Sequence, residues 1–111
     1  MPSAAISPNH AIDVDALRHN ADRAVSALRL LANKDRLLLL CQLAHGEMCV
    51  SELEAQLDIR QPTLSQQLGV LRSEEVVSTR RQGKNIFYGA ADPALLEILM
   101  LLHRLYCRKD S

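Results

Sequence analysis

The chain has 111 residues, 48% of them hydrophobic and 23% charged, and its 13 basic residues balance its 13 acidic ones. A chain of this length and composition forms one compact domain, which excludes wholesale disorder, fibrous architecture and two independent cores. Two Tyr, one Phe and no Trp leave the core to aliphatic residues, and the few Gly and Pro favour helices over a β-sandwich.

The first twelve residues mix Pro, Ser and Asn without hydrophobic periodicity, which predicts a flexible tail over residues 1–12 ahead of one domain spanning residues 13–111. Asp13 is a candidate helix N-cap, and apolar residues then recur at helical spacing from Ala16 to Leu31. The spacing predicts a first long helix that ends near Leu31.

Asn33 is the candidate cap of a second helix that runs from Lys34 to about Ala44, where Gly46 stops it. The run of four leucines from Leu37 to Leu40 is too apolar for a helix that buries only one face. We therefore expect this helix at the centre of the core.

A capping box from Ser51 to Glu54 predicts a short third helix that ends near Leu57. A fourth helix is predicted to begin at Gln61-Pro62, since proline is tolerated at the first helical position, where its missing N–H costs nothing. In that helix three leucines share one buried stripe, namely Leu64, Leu68 and Leu71.

The hydrophobic period changes after Glu75, because the segments Val76–Thr79 and Ile86–Tyr88 are rich in β-branched and aromatic residues. They flank the segment Arg81–Asn85 and predict a β-hairpin with a basic tip. Residues 59–90 carry five basic and two acidic side chains, so this part of the chain has a net charge of +3.

Asp92-Pro93 predicts the start of a last helix by a cap followed by proline. This helix is apolar nearly all round, and a terminal helix buries only one face against its own core. We therefore expect its other face to contact a second subunit and the protein to be a homodimer.

Two short helices joined by Asp58-Ile59-Arg60 and followed by a basic hairpin predict a winged helix-turn-helix, mainly α with a β-hairpin wing between the fourth and fifth helices. Amide and hydroxyl groups donate and accept hydrogen bonds and so read base edges, while Arg and Lys contact phosphates. A polar helix face is often merely solvated, but this combination favours double-stranded DNA as a partner. The candidate DNA-binding residues are Gln61, Thr63, Ser65, Gln66, Gln67, Arg72, Arg80, Arg81 and Lys84.

Between Leu30 and Tyr88 the chain carries a specific series of segments, namely Leu31-Ala32-Asn33, Arg36-Leu37, Ser51-Glu52-Leu53, Gln61 to Leu68, Leu71-Arg72, and Arg80 to Lys84 before Phe87-Tyr88. With these segments the sequence resembles the ArsR/SmtB family of winged-helix repressors, and the likeness covers essentially the whole chain beyond the tail. The resemblance implies a homodimer built on the first and last helices, which binds a pseudo-palindromic operator and releases it when an inducer reaches the dimer.

The cysteines, Cys41, Cys49 and Cys107, are an odd number at wide separations, which is not the pattern of a secreted disulfide framework. No apolar run is long enough for a membrane helix and no secretory signal begins the chain, so we expect a cytoplasmic protein, and we expect no cofactor. In a reducing compartment each thiol is an inert core residue, a metal ligand or a redox-active group.

The pair Cys41 and Cys107 resembles that of the BigR/SqrR branch of the family, whose members respond to persulfides. The resemblance implies redox sensing in which these two thiols become linked when a small sulfur species or an oxidant acts as inducer. Taken alone, Cys41 is better explained as a small buried hydrophobe, whereas Cys107 lies among charged residues at the chain end, where packing explains it poorly.

We expect no metal site. The arsenic and cadmium sensors of the family carry Cys-Val-Cys where this chain has Cys49-Val50-Ser51, and a hydroxyl is a poor ligand for soft metal ions. The zinc sensors carry His-x-x-Glu or His-x-x-His near the end of the last helix, where this chain has His103 and Tyr106.

Two alternative functions remain. A metal-responsive or metalloid-responsive repressor would use Cys41, Cys49 and histidines. A small thiol-dependent sulfur transferase or reductase is the alternative from another class, and the lack of a Cys-x-x-Cys motif, a glycine-rich phosphate loop or a clustered Ser/His/Asp set argues against an enzyme.

Overall fold

The computed structural model describes residues 12–107, so most of the predicted tail and the last four residues lie outside the described part. The predicted fold class, a mainly α winged helix-turn-helix, is confirmed. The described elements are α1 (Val14–Leu31), α2 (Lys34–Ala44), β1 (Met48–Cys49), α3 (Val50–Leu57), α4 (Thr63–Ser73), β2 (Val77–Gln82), β3 (Asn85–Ala90) and α5 (Pro93–Tyr106).

Three helix starts lie where local capping signals predict them. The side chain of Asp13 accepts a hydrogen bond from the Ala16 amide at 3.1 Å, and that of Asn33 accepts from the Arg36 amide at 3.0 Å. Asp92 caps α5 in the same way. Each cap satisfies amides that have no partner within the first turn of their helix.

The start of α3 differs from the prediction, which placed the cap at Ser51. The N-cap is Cys49, whose amide donates to the Glu52 carboxylate at 3.0 Å, so the capping box lies two residues earlier. The reason is β1, a two-residue strand that the sequence did not predict, in which Met48 and Cys49 pair with Tyr88 and Phe87 of β3. The strand ends at Cys49, and the helix begins directly after it.

The start of α4 also differs, since Pro62 is the cap residue and Thr63 the first helical residue. In the wing, β2 and β3 pair in register from Val77 with Ala90 to Gln82 with Asn85. The predicted five-residue tip therefore shrinks to a two-residue turn, Gly83-Lys84. Gly83 has a φ of +63°, a left-handed conformation that glycine adopts without a Cβ clash.

The core is aliphatic and centred on α2, as predicted. Leu39 and Leu40 of α2 are almost fully buried against the buried leucine stripe of α4 and against Leu53 of α3. Burying one such side chain contributes roughly 1.5–3 kcal/mol. Within residues 12–107, no helix has the length and hydrophobicity needed to cross a membrane.

Candidate nucleic-acid interface and thiol site

The helix-turn-helix consists of α3 and α4, with a tight connection between them. Asp58 ends α3 in a left-handed conformation with a φ of 56° and donates its amide to the Glu54 carbonyl at 3.1 Å. Ile59 in the same connection is buried in the core. The connection thereby anchors the start of α4 to the rest of the domain.

The buried leucine stripe of α4 turns the polar side of that helix outward. Ser65, Gln66 and Arg72 are exposed, while Thr63 and Gln67 are half-buried. Within residues 12–107 the side chains of Ser65, Gln66 and Arg72 make no hydrogen bond, so their donors and acceptors face solvent. These three residues are therefore the best-placed α4 candidates for contacting DNA.

Two of the candidate glutamines use their amide oxygens inside the protein. Gln61 accepts a hydrogen bond from the Ser65 amide at 3.1 Å and so satisfies a backbone donor at the start of α4. Gln67 accepts from Nη1 of Arg36 at 3.2 Å.

The wing carries three candidate cations in two different environments. Arg81 and Lys84 are exposed at the tip and form no ion pair with the described residues. Arg80 instead contacts Glu47, with its Nη2 and Nε at 2.8 and 2.9 Å from Oε1, and its guanidinium lies 5.0 Å from the centre of the Phe87 ring. Arg80 is thus paired with a carboxylate of the protein, although its side chain remains 49% exposed.

A cavity of about 320 Å³ separates the C-terminal part of α2 from α5. Cys107 follows α5 directly, is exposed, and donates its amide to the His103 carbonyl at 2.8 Å. The half-buried Cys41 thus shares a cavity with His103, and the exposed Cys107 lies one helical turn beyond His103. The residues that line the cavity are Cys41, Ala44, His45, Leu99, Met100 and His103.

Burial raises the pKa of the Cys41 thiol, and the negative charge of a Cys107 thiolate raises it further. At neutral pH Cys41 is therefore held as the protonated thiol.

The third cysteine lies apart from this pair. Cys49 is 8% exposed, and its Sγ is 3.4 Å from the hydroxyl oxygen of Ser51. Within residues 12–107 no group of three or more His, Cys, Asp or Glu side chains is arranged to hold a metal ion.

Several features of these sites were not predicted from the sequence. Glu47 binds Arg80, a contact that no motif predicts. His45 and His103 line the cavity beside Cys41, and no motif predicts that placement either. These residues are far apart along the chain and form no motif, so the sequence offers no signal that the end of α2 and the end of α5 lie together.

Comparison with known proteins gives concordant results. The sequence model of the family described as "Bacterial regulatory protein, arsR family" matches residues 33–79. The Biofilm growth-associated repressor of Agrobacterium fabrum is 48% identical over 100 residues, covering 90% of this chain and 86% of the relative. The transcriptional activator HlyU of Vibrio cholerae is 36% identical over 90% of this chain and 93% of its own length.

Solved structures agree with these sequence relatives. The transcriptional repressor BigR from Xylella fastidiosa superposes with a TM-score of 0.84 at 39% identity, covering 88% of this chain and 100% of that one. An antimony-specific repressor, AntR, superposes with a TM-score of 0.71 at 36% identity, covering 77% of this chain and 78% of that one.

The fold, the polar face of α4 and the basic wing define a winged-helix DNA-binding regulator of transcription. The chain belongs to the ArsR family of bacterial regulatory proteins. Regulators of this family bind DNA and act as homodimers, and they are not enzymes, so the thiol-enzyme alternative is rejected.

Proposed function

We propose that this protein is a repressor that binds a pseudo-palindromic operator as a homodimer and releases it when Cys41 and Cys107 become linked through sulfur. The observation that supports the proposal is that Cys41 lines a cavity together with His103, and that the amide of Cys107 donates to the His103 carbonyl one turn further on.

The DNA-binding part of the proposal rests on the outward face of α4 and on the wing tip. Gln66 presents an amide that both donates and accepts, which suits a base edge in the major groove. Arg81 and Lys84 are exposed cations, which suit phosphates on either side of that groove. One short helix contacts few base pairs, so a two-fold dimer is needed to reach useful specificity.

The dimer rests on apolar residues that α1 and α5 leave exposed. A monomer with so much exposed apolar surface would be prone to aggregate. This favours a homodimer in which a second copy of the chain packs against these residues. We assign the following residues to this dimer surface: Val14, Leu17, Val25, Leu28, Met100, Leu101, Leu105 and Tyr106.

The switch follows from the exposure of the two thiols. Cys107 is exposed and meets a donor from solvent first. Its thiolate attacks the outer sulfur of a low-molecular-weight persulfide, the donor leaves as a thiol, and Cys107 becomes a persulfide. The Cys41 thiol gives up its proton as its sulfur attacks the inner sulfur of that group, because only the thiolate is nucleophilic. The attack forms a Cys41–Cys107 disulfide and expels the outer sulfur, which takes up the proton and leaves as hydrogen sulfide.

A longer bridge forms when both cysteines carry a persulfide. The terminal sulfur on Cys41 attacks the inner sulfur of the Cys107 persulfide, giving a trisulfide and one hydrogen sulfide. A direct disulfide needs Cα atoms within about 7 Å, whereas a trisulfide spans more. The cavity beside Cys41 offers room for the inserted sulfur.

The bridge affects DNA binding because it joins two elements with different tasks. Cys41 belongs to α2, which packs against α4, and Cys107 ends α5, which carries part of the dimer surface. Linking them biases the position of α4 relative to the dimer. A release that matters physiologically requires the bridge to disfavour the DNA-bound form by about 1–3 kcal/mol.

The DNA interface is tested with a duplex selected by the wild-type protein from a random pool, using fluorescence anisotropy. Gln66→Ala should weaken binding to the selected duplex more than to random DNA. Arg81→Ala should weaken both and lower the slope of log affinity against log salt by about one. Unchanged affinities in both variants would show that the DNA-binding face lies elsewhere.

The switch is tested by intact mass and DNA affinity after treatment with a persulfide donor and, separately, with peroxide. Cys41→Ser and Cys107→Ser should each bind the selected duplex but remain bound to it in the presence of the persulfide donor. Cys49→Ser is the matched control and should release it as the wild type does. If Cys49→Ser is the variant that stops responding, the sensor lies at the start of α3 and a metalloid-responsive function replaces this one.

A further inference from the structure

The guanidinium of Arg36 joins three helices in the described structure. Arg36 lies in the first turn of α2, donates from Nε to the Leu30 carbonyl at 2.9 Å, and from Nη2 to the Arg29 carbonyl at 3.0 Å. From Nη1 it donates to Oε1 of Gln67 at 3.2 Å. One side chain therefore connects the end of α1 to the middle of α4.

The two contacts with α1 are favourable for a simple electrostatic reason. The last carbonyls of a helix have no partner within the helix, and the helix dipole places partial negative charge there. A planar cation with several donors in a fixed fork satisfies two such carbonyls at once. Arg36 is therefore firmly held by α1, and its third contact transfers that anchoring to α4.

The contact with Gln67 also fixes which way that amide faces. A guanidinium only donates hydrogen bonds, so it must meet the amide oxygen and not the nitrogen. Gln67 is half-buried, whereas its neighbour Gln66 is exposed. One of the two acceptor positions of the Gln67 amide oxygen is thus already used inside the protein.

We infer that Gln67 is a positioning residue, which with Arg36 sets the orientation of α4 relative to α1. The inference rests on the DNA interface proposed above, in which α4 reads the operator and α1 contributes to the dimer surface. In a dimer on a palindrome, the distance between the two reading helices must match the spacing of the half-sites. The Arg36–Gln67 contact sets that distance within each subunit.

The sharpest test replaces each neighbouring glutamine by glutamate. Gln67→Glu keeps an acceptor in place and gains an ion pair with Arg36, so its affinity for the selected duplex should stay within about threefold of wild type. Gln66→Glu, the matched control, places a negative charge against DNA and should lose at least about tenfold. Equal losses in the two variants would show that Gln67 faces DNA and would overturn the inference.

A second test measures the half-site spacing that each variant prefers. Duplexes with one base pair added to or removed from the spacer are compared with the selected duplex. Wild type and Gln67→Glu should discriminate strongly among them, whereas Gln67→Ala should discriminate less because α4 is less constrained. Loss of general stability alone would lower the active fraction without changing this preference.

Arg36→Gln provides the other half of the test. The double variant Arg36→Gln/Gln67→Ala should bind the selected duplex no more weakly than whichever single variant has the lower affinity, because the two residues act through one contact. Additive losses would contradict the inference, and circular dichroism melting of each variant identifies any that fails to fold. If Gln66→Ala and Arg81→Ala lower affinity while Gln67→Ala changes neither affinity nor spacing preference, the interface stands and the positioning role fails.

Discussion

At the scale of single residues, the environment of each cysteine determines how it reacts. Cys107 is exposed at the end of α5, Cys41 is half-buried beside a cavity, and Cys49 is buried at the start of α3. A thiol reacts as its thiolate, so burial affects both access and ionisation. The three cysteines are therefore expected to differ in reactivity, in an order that follows from their exposure.

We predict that iodoacetamide at neutral pH alkylates Cys107 first, Cys41 more slowly and Cys49 last. Because the pKa of Cys41 is raised, its rate should keep increasing with pH beyond the ordinary thiol range. Cys107→Ser removes a nearby negative charge and should move the Cys41 profile to lower pH. Peptide mass spectrometry over a pH series measures these rates, and an unchanged Cys41 profile in Cys107→Ser would show that the two thiols do not interact.

The same shift affects stability, with a sign that follows from proton linkage. The folded chain keeps the Cys41 proton at a pH where the unfolded chain loses it. The free energy of unfolding should therefore fall as pH rises through the ordinary thiol pKa and level off above the folded pKa of Cys41. Urea unfolding of wild type and Cys41→Ser over this range isolates the contribution.

The arginines of the wing illustrate the same dependence on surroundings. Arg80 and Arg81 are adjacent in sequence, yet only Arg80 is paired with Glu47. Arg81→Ala should lower the salt slope of DNA binding by about one, and Arg80→Ala by clearly less, since phosphate gains little from a neutralised cation. In the Glu47→Gln background, Arg80→Ala should lower the salt slope of DNA binding by nearly as much as Arg81→Ala does. Equal slopes for both arginine variants in the wild-type background would contradict this.

At the scale of elements, local signals predicted where most helices begin and end. Asp13, Asn33 and Asp92 cap their helices through contacts two or three residues away, and such contacts leave a clear trace in the sequence. The start of α3 depends on β1, which exists only because β3 lies beside it. A two-residue strand has no periodicity of its own, so it could not be predicted.

Helix α4 contains one residue that weakens it without a structural need. Gly69 has no atom within 4 Å of the position where a Cβ would lie, and its φ is not left-handed. Gly69→Ala should raise the free energy of unfolding by about 0.5–1 kcal/mol, because glycine lowers helix stability by this amount relative to alanine. Urea unfolding measures the gain. A loss of stability would show that the structure does not accommodate a Cβ at this position.

At the scale of the whole molecule, the exposed apolar faces of α1 and α5 predict the assembly. Leu101 is 42% exposed on α5 although it belongs to a strongly apolar helix. Leu101→Glu should shift the protein from dimer to monomer at micromolar concentration, because it places a charge in an apolar interface. Sedimentation velocity measures the change. Glu97→Gln, at an exposed polar position of the same helix, is the control and should remain dimeric.

Loss of the dimer should also weaken DNA binding, because the two half-sites are then contacted independently. The Leu101→Glu monomer should therefore lose much of its preference for the selected duplex over random DNA. Full operator affinity in a monomeric variant would place the source of specificity within one subunit.

By itself the sequence determined the family, the five helices, the wing and the leucines that fill the core. These features follow from hydrophobic periodicity and from caps between residues close along the chain. Only the tertiary structure decided that Gln67 and Arg80 face protein partners while Gln66 and Arg81 face solvent. The deciding contacts join residues 31 and 33 positions apart, Arg36 with Gln67 and Glu47 with Arg80. Folding brings such pairs together through packing between elements, and neither composition nor spacing records that proximity.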